Sequence, residues 1–160
     1  MYYGESNTAV DEKGRVNVPL HFKTLMKALN HDTWYVTRGF DGALFLFHAV
    51  RWNELLKTQQ TPSGLNPKLL DFRRLFLGSV AVVRMDAQGR FNIPAPLRQY
   101  AGIDREAVIL GVDDHLELWS AKGWTAFQES QAEAYKRMAE ELFGGLRVGV
   151  GQPLEGTQND

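Results

Sequence analysis

The chain has 160 residues, of which 44% are hydrophobic and 23% charged, with a formal net charge of −1 and no cysteine. These values are ordinary for a globular protein, and the lack of cysteine excludes disulfides and thiolate-bound metals. No apolar run approaches the ~18–20 residues that cross a bilayer. The stretch "MYYGESN" at 1–7 has neither the basic nor the apolar region of a secretory signal. We therefore expect a cytoplasmic protein that does not bind membranes.

The charge is unevenly distributed. Residues 1–105 contain 14 Lys and Arg against 9 Asp and Glu, whereas residues 106–160 contain 4 against 10. A net charge near zero argues against a nucleic-acid partner, but this distribution permits a basic face in the first part of the chain.

One short stretch occurs twice. "VDEKGRVNVPLHF" at 10–22 returns as "MDAQGRFNIPAPL" at 85–97, and "GFDGALFLFHAVRW" at 39–52 aligns with "GVDDHLELWSAKGW" at 111–124. The chain is therefore a duplication of a unit of roughly 45 residues, which is short for building a sufficient core alone. We expect the two copies to share one core.

The first copy begins with two short strands joined by the turn "DEKG", in which Asp and Gly favour a tight reversal. Alternation in "RVNVP" places Val16 and Val18 on one face of the second strand and Arg15 and Asn17 on the other. Pro19 ends this strand and suits the first turn of a helix. An amphipathic helix, two strands about a turn at Asp41 and Gly42, and a helix over 50–59 complete the unit.

Between the copies, "TPSG" is a linker and a helix begins with Asn66 as N-cap and Pro67 at its first position. The second copy repeats the order with a shorter first helix, which Gly102 ends. A single closing helix over 121–143 is predicted from Ser120 as N-cap, and we expect its apolar stripe to pack on the linker helix. The Gly-rich, polar composition of 144–160 predicts a disordered tail.

The paired D-x-x-x-R turns, each followed by a strand and Pro, resemble the double SpoVT-AbrB pattern of the MraZ family of bacterial transcriptional regulators. The resemblance covers about residues 1–143. It implies an α+β fold, a pseudo-two-fold duplicated SpoVT-AbrB-type (swapped-hairpin-like) β-barrel with flanking helices. The domains are then 5–50 and 77–120 as the two SpoVT-AbrB domains, 51–76 as a helix and linker helix, 121–143 as a C-terminal helix and 144–160 as the tail.

The resemblance also implies a function. Members of such a family bind short direct repeats of double-stranded DNA in the promoter of the division and cell-wall gene cluster, which they regulate, here by repression. The same resemblance implies a homo-oligomeric ring associated with the nucleoid. One departure concerns Lys23, where relatives commonly carry Arg, while the second copy keeps Arg98. Arg and Lys are not equivalent at bidentate sites.

The turns supply the candidate DNA-binding residues. A β-ribbon fits the major groove, where Arg can pair with guanine O6 and N7. The neutral Gln88 predicts that the second turn holds phosphates less tightly and has a mainly structural role. The DNA-binding candidates are Arg15, Lys13, Asn17, Arg90 and Gln88, and the residues expected to brace the turns are Asp11, Gly14, Asp86 and Gly89.

Other interpretations stay open at this point. The D-x-x-G-R turn is also a common structural connection in which Asp and Arg form an ion pair. The chain could instead be a protein-interaction or antitoxin-like module with incidental DNA binding. No nucleophile, P-loop or dinucleotide motif indicates an enzyme or a cofactor.

The remaining candidates have structural explanations. The histidines lack metal-ligand spacing, and the acidic pair Asp113 and Asp114 falls where the first copy has its Asp41 turn. The four tryptophans are expected in the core or at subunit contacts; they are Trp34, Trp52, Trp119 and Trp124.

Overall fold

A computed structural model describes residues 1–58 and 66–144. The first copy contains β1 (Tyr2–Ala9), β2 (Arg15–Asn17), α1 (Leu20–Ala28), β3 (Thr33–Arg38), β4 (Leu44–His48) and α2 (Ala49–Thr58). The linker helix is α3 (Pro67–Phe76), and the rest of the described chain forms β5 (Ala81–Arg84), β6 (Arg90–Asn92), α4 (Ala95–Ala101), β7 (Glu106–Asp113), β8 (His115–Trp119), α5 (Ala121–Gln131) and α6 (Tyr135–Phe143). This order in each copy confirms the order predicted from the repeat. The "TPSG" linker and, apart from Gly144, the predicted tail over 144–160 lie outside the described residues.

The strands form a six-stranded antiparallel sheet in the order β1-β7-β8-β4-β3-β5 and a two-stranded ribbon of β2 and β6. Exchanging the two copies maps this strand order onto itself. The register has the same symmetry, because Arg15 lies opposite Asn92 and Asn17 opposite Arg90. The fold is therefore α+β with a pseudo-two-fold axis, and closure of the sheet into a barrel stays a prediction.

The two copies share one hydrophobic core, as predicted. Its buried members from the first copy include Val16, Phe22 and Trp34, and those from the second include Phe91 and Ile93. The strand alternation explains this core, since the apolar residues of both ribbon strands face inward. The tryptophans are core residues, because Trp34, Trp52 and Trp119 are buried and Trp124 packs against Trp119.

The predicted turns and helix ends have the expected backbone geometry. Asp41 and Gly42 both have positive φ, 56° and 80°, as a type I′ turn requires. Asp113 has φ 65° at the equivalent place in the second copy. Asn66 Oδ1 accepts a hydrogen bond from the Lys68 backbone N–H at 3.0 Å, and Gly102 ends α4 with φ 65°.

The C-terminal helix predicted over 121–143 is wrong as a single element, because residues 132–134 form a turn between α5 and α6. The chain divides into two compact units at this helix, the first ending at Phe127 and the second beginning at Gln128. Trp124 and Phe127 pack against the buried Trp119 cluster of the sheet, not on the linker helix as expected. Ser120 does cap α5, since its Oγ accepts the Gly123 N–H at 2.9 Å.

Within the described residues no helix combines the length and the apolar character that crossing a membrane demands.

Candidate nucleic-acid interface

The ribbon of β2 and β6 has an apolar inner face and a polar outer face. Val16 and Phe91, at the centres of the two strands, are both 1% exposed. Because successive strand residues alternate between faces, the flanking positions point outward. They are Arg15, Asn17, Arg90 and Asn92. The antiparallel register places the two arginines on one diagonal of this face and the two asparagines on the other.

Asn92 is the residue of this face that the sequence analysis did not name as a candidate. Its signal is present in the repeat, where it aligns with Asn17. Both asparagines are exposed, and they lie at opposite ends of the ribbon, Asn17 opposite Arg90 and Asn92 opposite Arg15.

The first turn, Asp11–Gly14, is closed by one carboxylate. Asp11 Oδ1 accepts hydrogen bonds from the backbone N–H groups of Lys13 and Arg15, each at 2.9 Å. The backbone also closes, with the Gly14 N–H donating to Asp11 O at 3.0 Å. Gly14 has φ 82°, a conformation that favours glycine. This geometry leaves Lys13 exposed at the tip.

The second turn, Asp86–Gly89, repeats this geometry. Asp86 Oδ1 accepts the Gln88 N–H at 2.9 Å and the Arg90 N–H at 3.0 Å, and Gly89 has φ 74°. The tip differs, because Gln88 Oε1 accepts a hydrogen bond from Arg90 Nη2 at 2.7 Å. The tip side chain of the second turn is thus engaged by its own arginine.

Ion pairs join the turns to the outer face. Arg15 Nε lies 2.6 Å from Asp11 Oδ2, and Arg90 Nε lies 2.9 Å from Asp86 Oδ2. The Asp–Arg ion pair of the structural interpretation therefore exists in both copies. Among the described residues, however, the Arg15 guanidinium donates a hydrogen bond through Nε alone, whereas Arg90 donates through Nε and Nη2. Arg15 keeps both terminal nitrogens for a bidentate contact.

Both bracing carboxylates are held ionised. The hydrogen bond from the Arg15 backbone N–H is the largest influence on Asp11 and, with the Arg15 side chain, lowers its pKa to about 2. At Asp86, desolvation raises the pKa, but hydrogen bonds from the Arg90 backbone and side chain outweigh it and lower the pKa. Each arginine of the face therefore stays beside a negative charge at neutral pH.

The histidines and the acidic turn lie elsewhere, in contacts of their own. His31 stacks on His48 with ring centroids 3.6 Å apart, and the Tyr2 hydroxyl lies 2.7 Å from His31 Nδ1. His115 bridges Asp114 and Glu117 at 2.7 and 3.0 Å. Within residues 1–58 and 66–144 no three His, Cys, Asp or Glu side chains group as metal ligands would.

The chain is similar to proteins that are named as transcriptional regulators. They include proteins named "Transcriptional regulator MraZ" from three bacteria. It is 38% identical to that of Lactiplantibacillus plantarum over 89% of this chain and 99% of the relative. It is 32% identical to that of Frankia alni over 91% and 99%, and 33% identical to that of Syntrophomonas wolfei over 89% and 96%.

A family model described as "MraZ protein, putative antitoxin-like" matches residues 1–68 and 75–144. The chain belongs to the MraZ family, which confirms the resemblance found in its paired turns.

Proposed function

We propose that this chain is a sequence-specific DNA-binding transcriptional regulator without catalytic activity, and that its β2–β6 ribbon enters the major groove. The observation that carries the proposal is the outer face of the ribbon, where two arginines and two asparagines lie above a buried apolar inner face. Arg pairs bidentately with guanine and Asn with adenine, and a two-stranded ribbon fits the groove. The names of the relatives support a regulatory role.

The residues contribute unequally in this proposal. Arg15 reads a base, because its terminal nitrogens are available while Nε stays fixed by Asp11. Lys13 contacts phosphate from the exposed tip, and Asn17 contacts a neighbouring base. Arg90 must first give up its bond to Gln88, so it contributes less, as the sequence analysis expects.

Further parts of the proposal are supported by the resemblance to the family. We propose that the regulator binds short direct repeats in the promoter of its own division and cell-wall gene cluster and represses it, in the cytoplasm at the nucleoid. The two SpoVT-AbrB domains, 5–50 and 77–120, would close one barrel. One chain offers one ribbon, so several chains in a ring supply the avidity that repeated sites can use.

A binding titration tests the function. Labelled promoter DNA and a scrambled duplex are titrated with the wild type at two salt concentrations. We expect preference for the promoter and strong weakening by salt. Arg15→Ala should weaken promoter binding by the free energy of one bidentate contact, about 1–3 kcal/mol.

The matched control is Arg74→Ala, which removes an exposed arginine from α3 that also pairs with a nearby aspartate, Asp71 at 3.1 Å. It should bind as the wild type does. Equal affinities of the wild type and Arg15→Ala for the promoter would contradict base reading by the first turn.

A second candidate is a protein-interaction or antitoxin-like module. The description of the matching family favours it, as do the exposed apolar side chains of α6, Tyr135, Leu142 and Phe143. Such a module would bind promoter and scrambled DNA equally weakly, and deletion of 128–160 would abolish its interaction while leaving DNA binding unchanged.

A further inference from the structure

The first turn and the second turn are each covered by a cationic side chain from the other copy. Arg98 of α4 lies over Gly14, where an added β-carbon would come within 2.6 Å of its Cζ. Lys23 of α1 lies over Gly89, where a β-carbon would come within 2.8 Å of its Nζ. Arg98 and Lys23 occupy equivalent positions of the repeat. The pseudo-two-fold axis therefore explains why each side chain packs on the turn of the other copy.

The side chains of Arg98 and Lys23 differ in their hydrogen bonds. Arg98 Nε donates a hydrogen bond to Ile93 O at 2.9 Å, and the Ile93 N–H donates to Gly14 O at 3.0 Å. Arg98 is thereby tied to the residue that holds the first turn. The second turn keeps the equivalent backbone bond, from the Val18 N–H to Gly89 O at 3.0 Å. Among the residues that the structure describes, though, the Lys23 ammonium makes no hydrogen bond or ion pair that would accompany it.

We infer that Arg98 is a positioning residue that holds the first turn rigid, and that Lys23 leaves the second turn the more mobile of the two. A planar guanidinium has fixed donor directions, whereas an ammonium on a flexible stem does not. The consequence for recognition rests on the proposed function: the chain presents one preorganised turn to the bases and one adaptable turn.

Hydrogen exchange of two backbone amides tests this inference without DNA. The Ile93 and Val18 amides report the first and second turns, since each donates to the glycine of its turn. In the wild type, Ile93 should exchange more slowly than Val18. Arg98→Lys should speed Ile93 exchange roughly tenfold, the effect of losing a charge-assisted hydrogen bond, and leave Val18 unchanged. Lys23→Arg should slow Val18 exchange and leave Ile93 unchanged.

These variants keep size and charge, and Lys23→Arg decides the question alone if Arg98→Lys does not fold. Equal exchange at the two amides in the wild type, or a Val18 amide that Lys23→Arg does not slow, would overturn the inference.

DNA titrations separate positioning from phosphate contact. Arg98→Gln should weaken promoter binding with an unchanged salt slope, whereas loss of a phosphate contact lowers that slope by about 0.9. A lowered slope would refute the positioning role. If the wild type shows no promoter preference while the exchange pattern holds, the proposed function fails and the inference stands.

Discussion

Arg90 Nη1 lies 3.6 Å from Asp11 Oδ2, so an arginine of the second turn contacts the carboxylate that closes the first. The same oxygen is paired with Arg15, and Asp11 therefore lies between the two guanidinium groups of the outer face. Its negative charge lets two arginines share one small surface, since they would otherwise repel each other.

Asp11 should make stability depend on acid. Its folded-state pKa of about 2 lies below the usual 3.8, so the stabilisation is present above the higher value and is lost as the pH falls through the lower one. We expect the melting temperature of the wild type to fall more steeply between about pH 4 and pH 2 than that of Asp11→Asn. Parallel curves for the two proteins over this range would show that the brace adds nothing to stability.

Two glycines with nearly equal φ separate backbone strain from side-chain crowding. Gly42→Ala should cost about 1–2 kcal/mol, the cost of a left-handed conformation, because its φ is 80° and no atom lies within 4 Å of a β-carbon there. Gly14→Ala, at φ 82°, must also displace Arg98 and should cost roughly 1–2 kcal/mol more. Denaturant titrations measure both, and equal losses would contradict close packing of Arg98 on the turn.

His48 should destabilise the fold as the pH falls. Burial, and secondly the charge of His31, lowers the His48 pKa from 6.5 to about 4. Stability is therefore full above pH 6.5 and declines as the pH approaches 4. Between pH 7 and 5, His48→Gln should lose less unfolding free energy than the wild type, by about 1 kcal/mol after allowance for partial exposure.

The control for His48 is His21→Gln, which removes an imidazole from the exposed side of α1. His21→Gln should lose the same unfolding free energy as the wild type between the two pH values. If His48→Gln does so too, His48 takes up no proton on unfolding and the prediction is wrong.

Repeat spacing tests the proposed ring. If neighbouring chains present identical ribbons to successive repeats, the repeats should lie about one helical turn, 10–10.5 bp, apart. Shifting one repeat by about half a turn should prevent one chain of the ring from reaching its repeat. The affinity for the DNA should then fall by up to roughly 10²–10⁴-fold, the gain that linked binding sites provide. Light scattering on the free protein should give more than two chains. A monomer, or affinity indifferent to the shift, would contradict the ring.

The elements of each copy could be predicted because their signals are local. Alternation placed Val16 inside and Arg15 outside, and the Asp and Gly positions marked both turns. The pairing of β1 with β7 could not be predicted from periodicity, since a strand pattern does not identify its partner. The break after α5 has no local signal either, because Ala132, Glu133 and Ala134 favour helix.

The residues of the candidate site could be named from the sequence, whereas their arrangement could not. The repeat identified both arginines, and their ion pairs with the aspartates were one of the two interpretations left open. The contact of Asp11 with Arg90 and the covering of Gly14 by Arg98 join residues far apart in sequence. Such contacts follow from how the two copies interlock, which the repeat alone does not specify.

The interlocked strand order determines when the chain can complete its fold during synthesis. β1 cannot pair until β7 has been made, since Tyr2 lies opposite Asp113. Likewise, β2 has no ribbon partner until β6 has been made. Such long-range pairing delays folding. A ribosome that stops after the first copy thus releases a chain with unpaired strands and half of the polar face. Only a chain translated through both copies can carry the complete ribbon, since each copy supplies one of its two strands.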